Sequence, residues 1–418
     1  MTLLDADKKD RIFALLYFIL GYGFIYVFVA DHFKYIGIYT VFYAALMLGY
    51  LYAKGKKPTK ESWFWLVIML MIGIPFPFWS ALGSVQPIAL VFTAAYWSMA
   101  ASSRLIEKST SNWVFFDWFN SLTIVPCSNF TCQFRVLKEG EGQKNKLRRY
   151  VGSVLLGVAI AIPVLFIILP LLFKADAGFE RVMNDLMRWL ISERILIILF
   201  RILISIPVSC YLYGLVYGTV SGRITDRIDK DVTRRTGEQI RKMPDVTTVT
   251  VMALVCAVYF IFIAVQGNYL FSAFFGKMPE WFTYAEYARR GFFELCGIGA
   301  WNLGILLLAS LISRTPGYKN TGLKIMTVIL SVLTLLLIAT AVSKMGMYIS
   351  AYGLTVKRVL TMTFMLWMAI VFTSVIVKQK KKIPMVKICV MTGAVMFSLL
   401  CVLPVEKWIE VYNNIYMV

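Results

Sequence analysis

Charged residues are scarce in this sequence. Only 16% of its 418 residues are Asp, Glu, Lys or Arg, whereas 59% are hydrophobic and 15% are aromatic. A soluble domain usually has about 25% charged residues and about 45–50% apolar ones. The composition therefore excludes a soluble globular domain, a disordered chain and a secreted disulfide scaffold, and it predicts a polytopic membrane protein.

Side chains that bind metals or act as nucleophiles are also few. His32 is the only histidine, and the seven cysteines are scattered, most of them within apolar runs. These counts argue against a zinc site, a haem site and a Ser-His-Asp triad. The sequence has no phosphate-binding loop and no Gly-rich dinucleotide turn. We therefore expect no metal and no cofactor, and an enzyme is the less favoured class.

Long apolar runs dominate what is present. A hydrocarbon core of about 30 Å needs about 20 apolar residues in a helix. The pattern predicts an all-α integral membrane protein with about eleven transmembrane helices and additional interfacial helices. The predicted spans are 11–30, 35–53, 62–80, 85–103, 150–173, 192–220, 246–266, 291–313, 322–343, 356–377 and 385–404.

The distribution of Lys and Arg predicts the orientation. With the N-terminus inside and the C-terminus outside, the inner segments hold 30 basic residues and the outer ones 12. If the aromatic segment 112–126 also crossed, the tally would become 20 inside against 22 outside. We therefore interpret 112–126 as an interfacial or re-entrant element on the cytoplasmic side, and both alternatives stay open.

Three regions follow from these spans. They are a four-helix membrane region at 1–104, a cytoplasmic loop at 105–149 with the aromatic element, and a seven-helix membrane region at 150–418. Two amphipathic segments, 176–190 and 279–290, are predicted to be helices on the outer surface. The net charge of +20 is attributed to inner loops that contact an anionic inner leaflet, since no soluble basic domain exists for a nucleic acid.

Two charged residues stand out within the predicted spans, because a charge inside the membrane is unfavourable unless it has a partner or a function. Arg201 and Glu294 are both placed in the outer half of the membrane. We hypothesise that they pair across helices or line one outward-facing polar cavity. The alternatives are that Arg201 extends along its own helix to the head groups and that Glu294 pairs locally with Arg290.

Three glycines are spaced four residues apart at the end of the sixth predicted span. Gly214, Gly218 and Gly222 form one face that lets another backbone approach closely. Packing within the chain is the favoured interpretation, and the seam of a homodimer is the alternative.

Two strings in the second half of the chain are specific enough to indicate a family. They are TYAEYARRGFFEL at 283–295 and MYISAYGLTVKRVLTMTFMLWMA at 347–369. The chain resembles a family of uncharacterised bacterial polytopic membrane proteins catalogued as a domain of unknown function. The resemblance implies a multi-pass protein of the bacterial cytoplasmic membrane and brings no activity with it. The residues that match the family pattern are Tyr287, Arg290, Glu294, Tyr348, Tyr352, Gly353, Thr355 and Arg358.

Two functions are compatible with these features. The first is binding or transport of a lipid-linked or amphipathic anionic molecule by an outer cluster of basic, acidic and aromatic residues. The alternative is a non-enzymatic regulatory or scaffold subunit of a cell-envelope complex, in contact with a membrane protein partner. The candidate ligand-binding residues are Arg201, Glu294, Arg290, Tyr287, Tyr348, Tyr352 and Arg358.

Overall fold

The computed structural model describes residues 7–78, 82–139, 193–225, 230–271, 284–315 and 320–416, with single positions at 157, 161, 168 and 228. All regular elements within these ranges are helical, with no β-strand among them. The prediction of an all-α chain is therefore confirmed. The predicted span 150–173 and the predicted helix 176–190 lie outside the described residues, apart from the helical positions 157, 161 and 168.

Fifteen α-helices are described. The first seven are α1 (Lys8–Phe24), α2 (Ile36–Ala53), α3 (Lys60–Gly73), α4 (Val85–Ala101), α5 (Val114–Phe119), α6 (Val125–Ser128) and α7 (Cys132–Glu139). The others are α8 (Glu193–Ser221), α9 (Lys230–Ile240), α10 (Asp245–Phe271), α11 (Tyr284–Ile312), α12 (Thr321–Tyr352), α13 (Val356–Lys380), α14 (Met385–Val402) and α15 (Val405–Tyr416). A π-helical turn extends α1 at Ile25–Val29, and another joins α5 to α6 at Asn120–Ile124.

Eight helical segments of the described residues are long and apolar enough to cross a membrane. They are Lys8–Val29, Phe33–Ala53, Leu196–Ser221, Asp245–Val265, Glu294–Ile312, Thr321–Tyr352, Val356–Lys380 and Met385–Val402. They support a multi-pass membrane protein, as the sequence predicted. The count of eleven and the orientation stay predictions.

Two of the predicted spans are shorter in the structure. The span predicted at 62–80 corresponds to α3, which has 14 residues, and the one predicted at 85–103 corresponds to α4, which has 17. Pro75 and Pro77 follow α3 and cannot continue its hydrogen bonding. Gly83 precedes α4 with a φ of +51°, which a right-handed helix does not contain. The helix α3 therefore ends at Gly73, although the apolar sequence continues to residue 80.

The chain divides into two compact units. Unit 1 comprises Met1–Leu66, Val91–Arg104 and Trp118–Asp226, and unit 2 comprises Val67–Leu90, Leu105–Asp117 and Arg227–Val418. The three regions predicted from the sequence, 1–104, 105–149 and 150–418, stay predictions.

Unit 1 is organised by the packing of α1 along α8. The helices approach closely where Gly21 faces Ser209, because a Cβ at Gly21 would lie 2.7 Å from the Ser209 Cβ. Gln133 of α7 closes this contact, since its Nε2 donates to Ala14 O at 2.8 Å and to Ser209 Oγ at 2.7 Å. Buried tyrosines fill the interior beside it, and the rings of Tyr17 and Tyr213 lie 5.8 Å apart.

The glycine face of α8 packs against α6 within the same unit. A Cβ at Gly214 would lie 2.9 Å from Pro126 O, and one at Gly218 would lie 2.5 Å from Asn129 Nδ2. Gly222 has a φ of +74° just after the end of α8, and Arg104 occupies the space where its Cβ would be. These close approaches lie within one chain, and the seam of a homodimer stays the open alternative.

The aromatic segment 112–126 forms α5, the π-helical turn and the start of α6, and none of the eight candidate spans includes it. Its second half folds against α8 in unit 1. Asn120 Nδ2 donates to Thr225 O at 3.0 Å, and Tyr211 of α8 donates to Leu122 O at 2.6 Å. Phe119 stays exposed. The choice between an interfacial and a re-entrant position stays open.

Unit 2 is a bundle in which α12 packs against α10, α11 and α13, while α14 packs against α13. Its interior is built mainly from methionine and aliphatic side chains. Residues at the centre of this core include Met252, Leu330, Ala341, Met365 and Phe372.

Candidate functional site

The turn between α12 and α13 is built from the residues of the second recognised string. Gly353 ends α12 with a φ of +72°, a left-handed conformation that glycine adopts without strain, and its N–H donates to Ile349 O at 2.8 Å. Thr355 caps the start of α13, because its Oγ1 accepts from the Arg358 N–H at 3.4 Å. Only Leu354 separates the two caps, so the helices are joined by a very short connection.

Arg358 holds this turn together from inside the first turn of α13. Its guanidinium lies 4.0 Å from the centre of the Tyr348 ring, in a cation–π contact. Nη1 donates to Tyr352 O at 2.9 Å and also to Gly353 O. These carbonyls lie at the end of α12, where a cation is favourable. Among the described residues, no hydrogen bond involves Nε or Nη2, so one edge of the guanidinium is not used by the turn.

The last helix also contacts the turn. The side chain of Asn413 in α15 accepts from the Leu354 N–H at 2.7 Å and donates to Leu354 O at 3.0 Å. One amide side chain thus satisfies both backbone groups of the residue between the two caps. Sequence reasoning did not assign Asn413 to the site, because 59 residues separate it from Leu354.

Lys344 is the buried cation of this region. Its side chain is 1% exposed, and it lies one helical turn before Tyr348 on α12. The negative charge of Glu294 in α11 acts on it, and the Glu294 side chain is exposed. An ionisable residue in a membrane-spanning helix with a charge of opposite sign nearby is a candidate functional group.

Sequence reasoning missed Lys344 because it placed the end of the ninth span at residue 343. The helix instead continues to Tyr352, so Lys344 lies more than two turns inside it. The signal that could have found it is the apolar character of MGMYISAY at 345–352, which extends the helical run up to Gly353.

A second polar group joins three helices of unit 2. Tyr259 of α10 donates to Asn302 Oδ1 at 2.7 Å, and Asn302 Nδ2 donates to Thr334 Oγ1 at 2.8 Å. Asn302 and Thr334 are buried, so their hydrogen bonds link α11 to α12 away from water. Each of these three side chains has a hydrogen-bond partner, which is typical of structural packing.

The residues predicted to bind a ligand fall into two sets. Arg201 lies in α8 of unit 1, with its guanidinium carbon 5.7 Å from the centre of the Tyr26 ring, whereas Glu294 lies in unit 2. Their pairing stays a prediction. Tyr287 and Arg290 belong to α11, and their side chains lie outside the described set.

The structure brings together the other predicted residues. Tyr348 and Tyr352 have ring centres 5.2 Å apart, and Arg358 contacts both residues. Lys344 lies one helical turn before Tyr348 on α12. We define the Arg358 site as Glu294, Lys344, Tyr348, Tyr352, Lys357 and Arg358.

Comparison with known proteins gives one match. Residues 38–414 match the model of a family described as a domain of unknown function, DUF4153. The matched range contains the whole Arg358 site and Asn413. No curated protein and no solved structure matches the chain.

Proposed function

We propose a function from the Arg358 site, because the description of the family assigns no activity. The chain belongs to the DUF4153 family, as the sequence had indicated. The protein binds, and carries within the bacterial cytoplasmic membrane, a lipid-linked or amphipathic molecule with an anionic head group. The observation that carries this proposal is the guanidinium of Arg358. It is fixed by Tyr348 and by the end of α12, and it keeps one edge without a hydrogen bond to the described residues.

A planar anion fits this edge. A guanidinium presents parallel N–H donors that match a carboxylate or phosphate in a two-bond arrangement. The exposed Lys357 lies next to it in the chain, at the N-terminus of the 25-residue helix α13, where the helix dipole also favours negative charge. Within the site, three cations stand against the single carboxylate of Glu294. The remaining positive charge favours an anionic ligand.

The surface of α13 suits an apolar tail. Leu366 and Ile370 are exposed on this helix, and their spacing of four residues places them on one face. They follow Arg358 by eight and twelve residues, which corresponds to about 12–18 Å along the axis at 1.5 Å per residue. A molecule with its head group at Arg358 can therefore place a hydrocarbon chain along these side chains. A small water-soluble anion would gain nothing from them.

Native mass spectrometry of the detergent-solubilised protein tests the proposal. The probes are dioctanoyl phosphatidic acid and dioctanoyl phosphatidylcholine, which differ in head-group charge and share their tails. We expect tighter binding of phosphatidic acid. The variant Arg358→Gln should weaken it about tenfold, because a hydrogen bond to a charged group contributes about 1.5–3 kcal/mol. Lys380→Gln, at the far end of α13, is the matched control and should bind as the wild type does.

Because Arg358 also stabilises the turn, a second variant separates binding from folding. Lys357→Gln removes an exposed charge that makes no hydrogen bond through its side chain to the described residues, so the fold should persist. We expect it to weaken binding of phosphatidic acid without a change in unfolding temperature. Equal affinity for the two probes, or unchanged affinity in both variants, would refute the proposal. A stoichiometric protein partner in the absence of any lipid preference would favour the scaffold alternative.

A further inference from the structure

The last helix, α15, presents three different faces. Val405 is buried, and it lies on the same face as Ile409 and Tyr412 at helical spacing. A neighbouring face carries the exposed side chains of Trp408 (56%), Val411 (57%) and Ile415 (65%). The third face is polar and consists of Glu406, Lys407, Glu410 and Asn414. Only part of the apolar surface of this helix is therefore covered by the rest of the described protein.

Chain connections place α15 at the boundary of the membrane. It begins at Val405, three residues after the membrane-spanning helix α14 ends at Val402. Asn413 ties it to Leu354, where the membrane-spanning helices α12 and α13 meet. Three spans thus end beside α15. The exposed apolar face is continuous along the chain with helices that contact lipid.

We propose that α15 lies in the head-group layer as an interfacial helix, with Trp408, Val411 and Ile415 inserted among the lipid chains. Through Asn413 it holds the turn between α12 and α13 at that depth. A helix with one apolar and one polar face adopts this position, and tryptophan is enriched there. The inference does not depend on the identity of any ligand at the Arg358 site.

The polar face indicates which lipids are suitable. It carries two glutamates and one lysine, so it offers no net positive charge to an anionic head group. Insertion of α15 is therefore driven by its apolar side chains and is independent of lipid charge. This distinguishes it from basic amphipathic helices, whose binding strengthens on anionic membranes.

Photocrosslinking of the full chain in lipid nanodiscs tests this position. p-Benzoylphenylalanine replaces Trp408 in one variant, Ile415 in a second and Lys407 in the control. In nanodiscs of phosphatidylcholine, illumination should give a lipid adduct at positions 408 and 415 and none at 407, as read by mass spectrometry. The same pattern is expected when phosphatidylglycerol is added, because lipid charge plays no part.

Three results would overturn the inference. They are the absence of a lipid adduct at both 408 and 415 in folded protein, an adduct that appears only with phosphatidylglycerol, and a crosslink between two chains. The last would show that a second copy covers this face. Because the 408 variant could fail to fold, the 415 variant keeps the test decisive.

The tie through Asn413 has its own readout. In Asn413→Ala the Leu354 amide loses its hydrogen bond, and its hydrogen exchange in nanodiscs should accelerate about tenfold, as expected for the loss of one partly buried hydrogen bond. Asn414→Ala changes the neighbouring exposed residue and serves as the control. Unchanged exchange at Leu354 would show that α15 does not hold the turn.

Discussion

Replacing Gly218 by alanine is expected to destabilise unit 1. A Cβ at this position would lie 2.5 Å from Asn129 Nδ2 and 2.7 Å from Val125 Cγ1. The Asn129 side chain is not free to move away, because Nδ2 donates to Val125 O at 2.9 Å and to Arg223 O at 3.1 Å. The added methyl group must therefore either break these bonds or push α6 away from α8.

The size of the effect follows from three contributions. Overpacking a close contact destabilises by about 1–3 kcal/mol. Loss of a hydrogen bond that leaves a buried group unsatisfied adds about 1–3 kcal/mol. The better helix propensity of alanine opposes these by about 1 kcal/mol. We expect a net loss of about 1–5 kcal/mol in the free energy of unfolding, and a lower unfolding temperature.

The assay is thermal unfolding of the purified protein in detergent, followed by circular dichroism, with the mass of the particle from light scattering. Gly49→Ala on α2 is the matched control in the same unit, since its Cβ would meet Phe13 at an ordinary 3.7 Å. If Gly218→Ala unfolds at the temperature of the control, the packing argument is wrong. A changed oligomeric mass with unchanged stability would instead indicate the homodimer seam.

Two further predictions concern buried polar groups of unit 2. Burial raises the pKa of Asp117 to about 7, with a smaller contribution from the charge of Glu107, while the Ile106 N–H bonded to its Oδ1 at 2.9 Å opposes the shift. Because the pKa of Asp117 in the fold lies above its ordinary value of 3.8, the folded protein keeps this proton when the unfolded chain has lost it, and the protein loses stability as the pH rises from about 3.8 to about 7. Asp117→Asn should remove this pH dependence. At pH 8 it should raise the free energy of unfolding by up to about 4 kcal/mol, and the unfolding temperature with it. A pH profile of stability parallel to that of the wild type would contradict this expectation. For the chain Tyr259–Asn302–Thr334, Asn302→Ala should cost about 1–2 kcal/mol, and a double-mutant cycle with Tyr259→Phe should show coupling, whereas additive losses would argue against the hydrogen bond.

The membrane spans were predictable where apolar residues run without interruption. The spans predicted at 246–266 and 385–404 correspond to parts of α10 and to α14, because each of these segments is apolar on all sides. The helix bounds differ from the predicted span where helix-breaking residues lie inside an apolar run, as at Pro75 and Pro77 after α3. Hydrophobicity measures transfer into lipid, whereas the end of a helix depends on backbone geometry.

The Arg358 site was predictable only in part. Tyr348, Tyr352 and Arg358 are close together in the chain, so one short string contains all three of them. Asn413 belongs to the same region through a hydrogen bond across 59 residues, which no local pattern encodes. Lys344 was missed because α12 continues beyond its most hydrophobic part, through the weaker apolar stretch at 345–352.

The length of α12 makes bilayer thickness a variable for this protein. Its 32 residues extend about 48 Å at 1.5 Å per residue, whereas the hydrocarbon core is about 30 Å thick. An upright α12 therefore projects by about 18 Å in total, and tilting reduces the excess. Lipids with longer chains cover more of the helix and draw Lys344 towards hydrocarbon, while shorter ones leave it among head groups. The acyl-chain length of the host membrane is therefore expected to change how much of α12 hydrocarbon covers.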